Sequence, residues 1–128
     1  MRILRNIISF PLSVIQNFLF GLTLVVFDVF QRINFNVFGY TAHKKTVDWM
    51  SIFLIYTLRC IGTKMKFISN FEIPKDVPLI IVSNHQSLYD IPPIGWFFRN
   101  RHPKYVSKVE LGKGIPGISY NLTHGGSV

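Results

Sequence analysis

Cysteine occurs once, at Cys60, so the chain can form no intrachain disulfide and has no second thiolate for a cysteine-based zinc site. Acidic side chains are also scarce: six Asp and Glu stand against fourteen Lys and Arg, giving a formal net charge of +8. Charged residues of both signs make up only 16% of the chain, against roughly 25% in an average soluble domain, while 48% are hydrophobic. Such a composition excludes a uniformly hydrated surface, and part of the apolar surface is expected to face lipid or a partner. No G-x-S-x-G elbow and no H-E-x-x-H pair occurs, so neither a covalent serine mechanism nor a bound metal is supported. Basic residues form no run longer than Lys44–Lys45, which argues against a nucleic-acid patch and leaves phosphorylated small molecules or an acidic membrane surface as the anionic partners.

What the sequence does contain begins with an uncharged stretch from Asn6 to Phe27. Twenty-two helical residues reach about 33 Å, enough to cross a bilayer's hydrocarbon core or to lie half sunk in it. Pro11, Gln16, Asn17 and Gly21 weigh against a full crossing. Arg2 and Arg5 on one side and Arg32, Lys44 and Lys45 on the other leave the positive-inside bias without a direction, so a span and an interfacial helix both remain open. The stretch is long for a signal-peptide core, and no A-x-A-like cleavage site follows it. Residues 47–61 form a second apolar segment, too short to span, with Asp48, Ser51 and Arg59 on one helical face.

Beyond Gly62 the texture changes. Residues 64–73 carry β-type side chains, 73–78 (IPKDVP) supply a turn, and 79–84 (LIIVSN) form a run of strand length. Pro92 and Pro93 fit only the first turn of a helix, expected to run to about Asn100, and 103–108 (PKYVSK) read as another strand. Strand, helix and strand at this spacing predict a βαβ unit with a mostly parallel sheet. The expected architecture is therefore α/β, with a membrane-associated helical region over 1–61 and an αβ domain over 62–128.

Within VSNHQSLYDIPP, residues 82–93, His85 and Asp90 stand five apart. On one helix they would lie about 140° from each other, so the pair requires a turn to meet. A strand delivering His85 into a turn that opens a helix at Asp90 would put both where open α/β sheets bind ligands. A histidine suits general-base work near neutral pH, and a carboxylate beside it fixes its tautomer. The competing reading makes Ser87 and Asp90 an S-x-x-D capping box and His85 a structural histidine. His43, His102 and His124 have no carboxylate at a telling spacing and read as solvated or loop residues. Residues 112–117, GKGIPG, satisfy G-x-G-x-x-G, but Pro116 falls where a dinucleotide-binding helix should be under way and too few residues follow.

Asn84, His85, Gln86, Ser87, Leu88, Tyr89 and Asp90 together resemble the N-H-x-x-x-x-D signature of the glycerolipid acyltransferases, in particular the 1-acylglycerol-3-phosphate (lysophosphatidic acid) acyltransferases. Lys108, Glu110, Leu111, Pro116 and Gly126 match a later family segment, which implies a flexible connection beside the site for the GKGIPG glycines, and the resemblance covers roughly residues 78–128, the first sixty matching in character alone. It implies transfer of a fatty acyl group from acyl-coenzyme A or acyl carrier protein, as co-substrate rather than cofactor, to the free hydroxyl of lysophosphatidic acid, giving phosphatidic acid. His85 would be the base and Asp90 its orienting partner, with Lys108 and Arg99, and also Lys104 or Arg101, attracting phosphates. The implied setting is a membrane, the bacterial inner membrane with the site at its cytoplasmic face. Other acyltransferases, acting on another lysophospholipid or a lipid A precursor, share the motif, and a noncatalytic membrane-bound module is the reading from a different class. The family's phosphate-gripping arginine and its E-G-T-R-like block have no counterpart before Val128, which implies an N-terminal fragment of the domain, inactive alone.

Overall fold

The computed structural model describes residues 2–127, and their side chains from Ile8 onward. Two long helices lead: α1 over Arg2–Phe38 and α2 over Tyr40–Arg59, reversing at Gly39. By rise per residue α1 is about 55 Å long and α2 about 30 Å, so the hairpin leaves part of α1 beyond the end of α2. A 3-10 turn at Leu88–Asp90 leads into α3, Ile91–Phe97, with Pro92 and Pro93 in its first turn as expected. Further 3-10 turns at Arg99–Arg101 and Val109–Gly112 precede α4, Ile118–His124.

Both apolar segments are helical; α1 extends past the uncharged run at both ends, whereas α2 begins before Val47 and stops at Arg59, short of Ile61. The hairpin core is small: Phe20 and Leu24 of α1 meet Met50 and Leu54 of α2, with Phe27, Val47, Tyr89 and Ile118 packed around them. Beside this apolar cluster the hairpin also buries polar side chains and leaves large apolar ones outside, unlike a water-soluble helix pair, which turns its apolar stripe inward. Gln16, Gln31, His43, Thr46, Ser51 and Thr57 are buried, while Phe10, Phe18, Val37, Trp49 and Phe53 stand out into the surroundings. The buried hydroxyls donate within their own helices, Thr46 to the Ala42 carbonyl at 2.9 Å and Ser51 to that of Val47 at 3.0 Å. By length and composition, Ile8–Phe38 could cross a membrane.

The expected α/β architecture is overturned. Among the described residues there is no strand and no sheet, and the fold is helical. The segments expected as strands, 64–73, 79–84 and 103–108, run without ladder hydrogen bonds, and Ile80, Val82 and Val106 are more than nine-tenths exposed. β-type composition describes side chains that suit a half-buried pleated surface; the strand itself needs a neighbouring backbone to satisfy its N–H and C=O groups. Contacts of other kinds hold the 73–78 turn and parts of the first and last of these segments. Arg101 donates to the Val77 carbonyl at 3.1 Å and to that of Pro74, Phe67 stacks on Phe97, and the Tyr105 N–H donates to Ser127 Oγ at 3.2 Å.

The C-terminal part docks on α1 through Gly117. Its N–H donates to Asp28 Oδ1 at 2.8 Å, and its carbonyl accepts from Gln31 Nε2 at 3.0 Å. Gln31 Oε1 in turn lies 3.2 Å from His43 Nε2. Two expectations are corrected here. His43 is neither solvated nor in a loop but buried on α2, because Gln31 and the rings of Phe35 and Tyr120 enclose it. The glycines of GKGIPG, expected as a flexible connection, include one clamped against a helix backbone.

Candidate functional site

Asp90 closes the turn that carries the motif. Its Oδ2 accepts from the backbone N–H groups of Gln86 at 2.8 Å and Ser87 at 2.9 Å, and Ser87 Oγ accepts from the Tyr89 N–H at 3.3 Å. The capping box is therefore formed, with Ser87 as N-cap. The same Asp90 Oδ2 lies 3.4 Å from His85 Nδ1. The two competing readings of the motif thus describe one object: the cap fixes the carboxylate at the turn, and the fixed carboxylate faces the imidazole. The Gln86 and Ser87 N–H groups, and after them His85, hold the Asp90 carboxyl below its ordinary value. Asp90 is an anion beside His85 under all ordinary conditions.

His85 sits at the mouth of a cavity of about 340 Å³, in the size range of small-molecule sites. Its walls are mainly apolar, with Phe20 and Leu24 from α1, Val47 and Leu54 from α2, Ile91 from α3 and Ile118 from α4. Lys44, Lys104, Lys108 and His102 also line it. Burial, then the nearby Lys44 and Lys104, push His102 below its usual value, a mark of a positively charged rim. Lys44 is engaged by Asp48 Oδ2 at 2.6 Å and by the Arg99 carbonyl, and Lys104 by the Tyr40 hydroxyl and the Gly125 carbonyl. Lys108 is exposed, and its ammonium makes no hydrogen bond or ion pair among the described residues, which leaves it open to a ligand at this rim.

Arg99 is not brought to His85. Its guanidinium lies 4.2 Å from the centre of the Trp96 ring and donates to the Trp96 carbonyl at 2.9 Å. Arg101 is likewise taken up by the carbonyls of Pro74 and Val77. Among the described residues no three His, Cys, Asp or Glu side chains gather. Asn84 is exposed, and Leu88 joins the cavity wall. The sequence reading missed the contribution of α2, which supplies Val47, Asp48, Ser51 and Leu54 to the cavity. It named Tyr89 as a motif position but missed its contact with α1, where the hydroxyl donates to Asn17 Oδ1 at 2.6 Å. The signal was available in Gln16 and Asn17, two amides in the midst of an otherwise apolar helix.

Neither a curated protein nor a solved structure matches the chain. A family model described as Acyltransferase matches residues 64–128, which is just over half of the chain and contains the whole His85–Asp90 turn together with α3, α4 and, from the basic rim of the cavity, His102, Lys104 and Lys108. The chain belongs to the acyltransferase family.

Proposed function

We propose that the protein transfers a fatty acyl group from an acyl thioester, on coenzyme A or acyl carrier protein, to the free hydroxyl of lysophosphatidic acid, forming phosphatidic acid. The observation that carries this reading is the His85–Asp90 pair, 3.4 Å apart, at the mouth of an apolar cavity with a basic rim. With Nδ1 turned to Asp90, His85 offers Nε2 to the acceptor. It takes the hydroxyl proton as the oxygen attacks the thioester carbon, and the imidazolium then protonates the departing thiolate. Asp90 keeps the ring oriented and balances its transient charge. A thioester is already activated, so attack by the acceptor oxygen needs no covalent enzyme intermediate.

The apolar walls suit an acyl chain and Lys108 suits a phosphate. Lys108 takes this role ahead of Arg99, whose guanidinium is committed to Trp96. The outward Phe, Val and Trp side chains of α1 and α2 support attachment to a membrane, where a lysophospholipid resides.

The test is acyl transfer by the full-length protein in mixed micelles of palmitoyl-coenzyme A and lysophosphatidic acid, following thiol release and lipid product together. His85→Ala should lower turnover at least about 100-fold, the low end of what a positioned base contributes. Near-normal turnover by a folded His85→Ala protein would end the assignment and leave the turn as a capped structural element. Faster transfer to a lysophospholipid with a larger headgroup, or to a lipid A precursor, would move the protein to another branch of the family.

A further inference from the structure

Gln16 and Asn17 are polar side chains on the most apolar stretch of the chain, and both point to Tyr89. Asn17 Nδ2 donates to the Ser13 carbonyl one turn back, at 2.9 Å, which leaves its Oδ1 to accept from the Tyr89 hydroxyl at 2.6 Å. Gln16 is 2% exposed, its Oε1 lies 3.3 Å from the same hydroxyl, and its Nε2 is buried without a partner among the described residues. A phenol has one hydrogen and cannot donate to two amide oxygens at once. Turning the Gln16 amide over exchanges its oxygen and nitrogen, which resolves the conflict. Nε2 then donates to Tyr89 Oη, Tyr89 donates to Asn17, and Asn17 donates to Ser13, so that all donors run in one direction. The Tyr89 ring also meets Phe20 edge-on, with centroids 5.0 Å apart.

At its other end Tyr89 belongs to the site, since its N–H donates to Ser87 Oγ inside the turn that Asp90 closes. We infer that Tyr89 is a positioning residue: its hydroxyl, held between the Gln16 and Asn17 amides of α1, fixes the His85–Asp90 turn against the apolar helix. Helix α1 then does more than attach the protein to its surroundings, because a shift of α1 carries Tyr89 with it and moves the carboxylate that orients His85. This rests on the acyl-transfer reading for its kinetic arm but not for its structural one.

Tyr89→Phe keeps the ring and its contact with Phe20 and removes only the hydroxyl. In the full-length protein with palmitoyl-coenzyme A and lysophosphatidic acid, kcat should fall about tenfold with KM changed less than about twofold, since a small misplacement of the base is felt mainly in the chemical step. Hydrogen exchange at the Gln86 and Ser87 amides, which donate to Asp90, should quicken about tenfold in the same variant. Asn17→Asp retains an acceptor for the hydroxyl and should keep near-normal kcat. Asn17→Leu should resemble Tyr89→Phe, and the double variant should be no worse than either single one. If His85→Ala proves active, the assignment of His85 as the base falls while the amide exchange still decides the role of Tyr89. If His85→Ala is inactive but Tyr89→Phe retains both kcat and amide protection, the inference is wrong. A lowered melting temperature with unchanged kcat per folded molecule would likewise reduce Tyr89 to a packing residue and overturn it.

Discussion

Replacing Gly117 by alanine tests the dock between the C-terminal part and the helical hairpin. Gly117 has φ +71°, a region that side-chain-bearing residues rarely enter, and a Cβ built on it would lie 2.8 Å from the Leu24 carbonyl oxygen and 3.2 Å from Met50 Sδ. Met50 can turn aside, but the Leu24 oxygen belongs to the backbone of α1 and cannot. The loop must therefore lift. Lifting stretches both Gly117 bonds, to Asp28 and to Gln31, and the fully buried Gln31 Nε2 then has only Met50 Sδ, at 3.3 Å, as a second and weaker acceptor. Positive φ costs about 1–2 kcal/mol for a residue with a Cβ, and depriving a buried amide N–H of its carbonyl acceptor costs about 1–3 kcal/mol. Gly117→Ala should therefore destabilise the protein by about 2–5 kcal/mol, a large part of the roughly 5–15 kcal/mol that holds a typical domain together. Gly114 provides the internal control, because it too has positive φ, +78°, but nothing lies within 4 Å of its added Cβ. Gly114→Ala carries only the backbone term. Urea unfolding of both variants in detergent micelles, followed by tryptophan fluorescence, separates the terms, and equal midpoints for the two would refute the dock.

Tyr105 is the clearest source of alkaline sensitivity, because burial pushes its phenol up to about 12 from an ordinary 10.0. A raised folded value means stability is complete below pH 10 and lost as the pH rises toward 12, by about 3 kcal/mol at 1.4 kcal/mol per unit, and Tyr105→Phe should flatten that dependence. Asp90 has the opposite sign: its depressed folded value keeps the turn intact above the ordinary carboxyl value of 3.8, with loss only as the pH falls through the lower folded one. An Asp90 titration midpoint at or above 3.8, measured by carboxyl chemical shifts, would contradict the hydrogen bonds from Gln86 and Ser87. Asp90→Asn should lower turnover while the protein stays folded, since the turn keeps an acceptor but His85 loses its counter-charge. Trp49 and Phe53, 60% and 50% exposed on one face of α2, should insert into lipid; changing both to serine should weaken vesicle binding at least about tenfold, since burial of each such side chain is worth about 1.5–3 kcal/mol. Release of the unaltered protein by high salt alone would exclude that insertion, because apolar burial is not screened.

Helices α1, α2 and α3 were legible in the sequence for physical reasons that need no tertiary knowledge. An uncharged run of twenty-two residues placed in lipid has to satisfy its backbone internally, and a double proline is tolerated only where the first N–H groups are unbonded anyway. The strands were misread because Leu79–Val82 and Tyr105–Val106 declare only what kind of surface they suit, not whether another backbone lies alongside. His43 was misread for a related reason. Its burial depends on Gln31, twelve residues away on the opposing helix, and on Tyr120 of α4, pairings that no local spacing encodes. Arg99 drew attention by its charge, and only the structure reveals that Trp96, three residues earlier, takes up the guanidinium.

The motif itself was legible to a greater depth than its two readings suggested. A capping box and an acid–base pair look like rivals in sequence because each claims the same Asp90. In three dimensions a carboxylate has enough lone-pair directions to accept from two backbone N–H groups and still face a third donor. The cap then has a chemical consequence: with the Gln86 and Ser87 N–H groups holding Oδ2, the carboxylate cannot swing away from His85 without breaking the turn. Five-residue spacing follows from this geometry. The box needs Ser87 three residues before Asp90, and the imidazole must come from the backbone entering the turn, two residues before the N-cap, to reach the carboxylate from its open side. Moving the histidine to either neighbouring position would preserve the cap and lose the pair. Exchanging His85 and Gln86 should therefore leave the fold intact and abolish transfer, an outcome that a purely structural histidine would not produce.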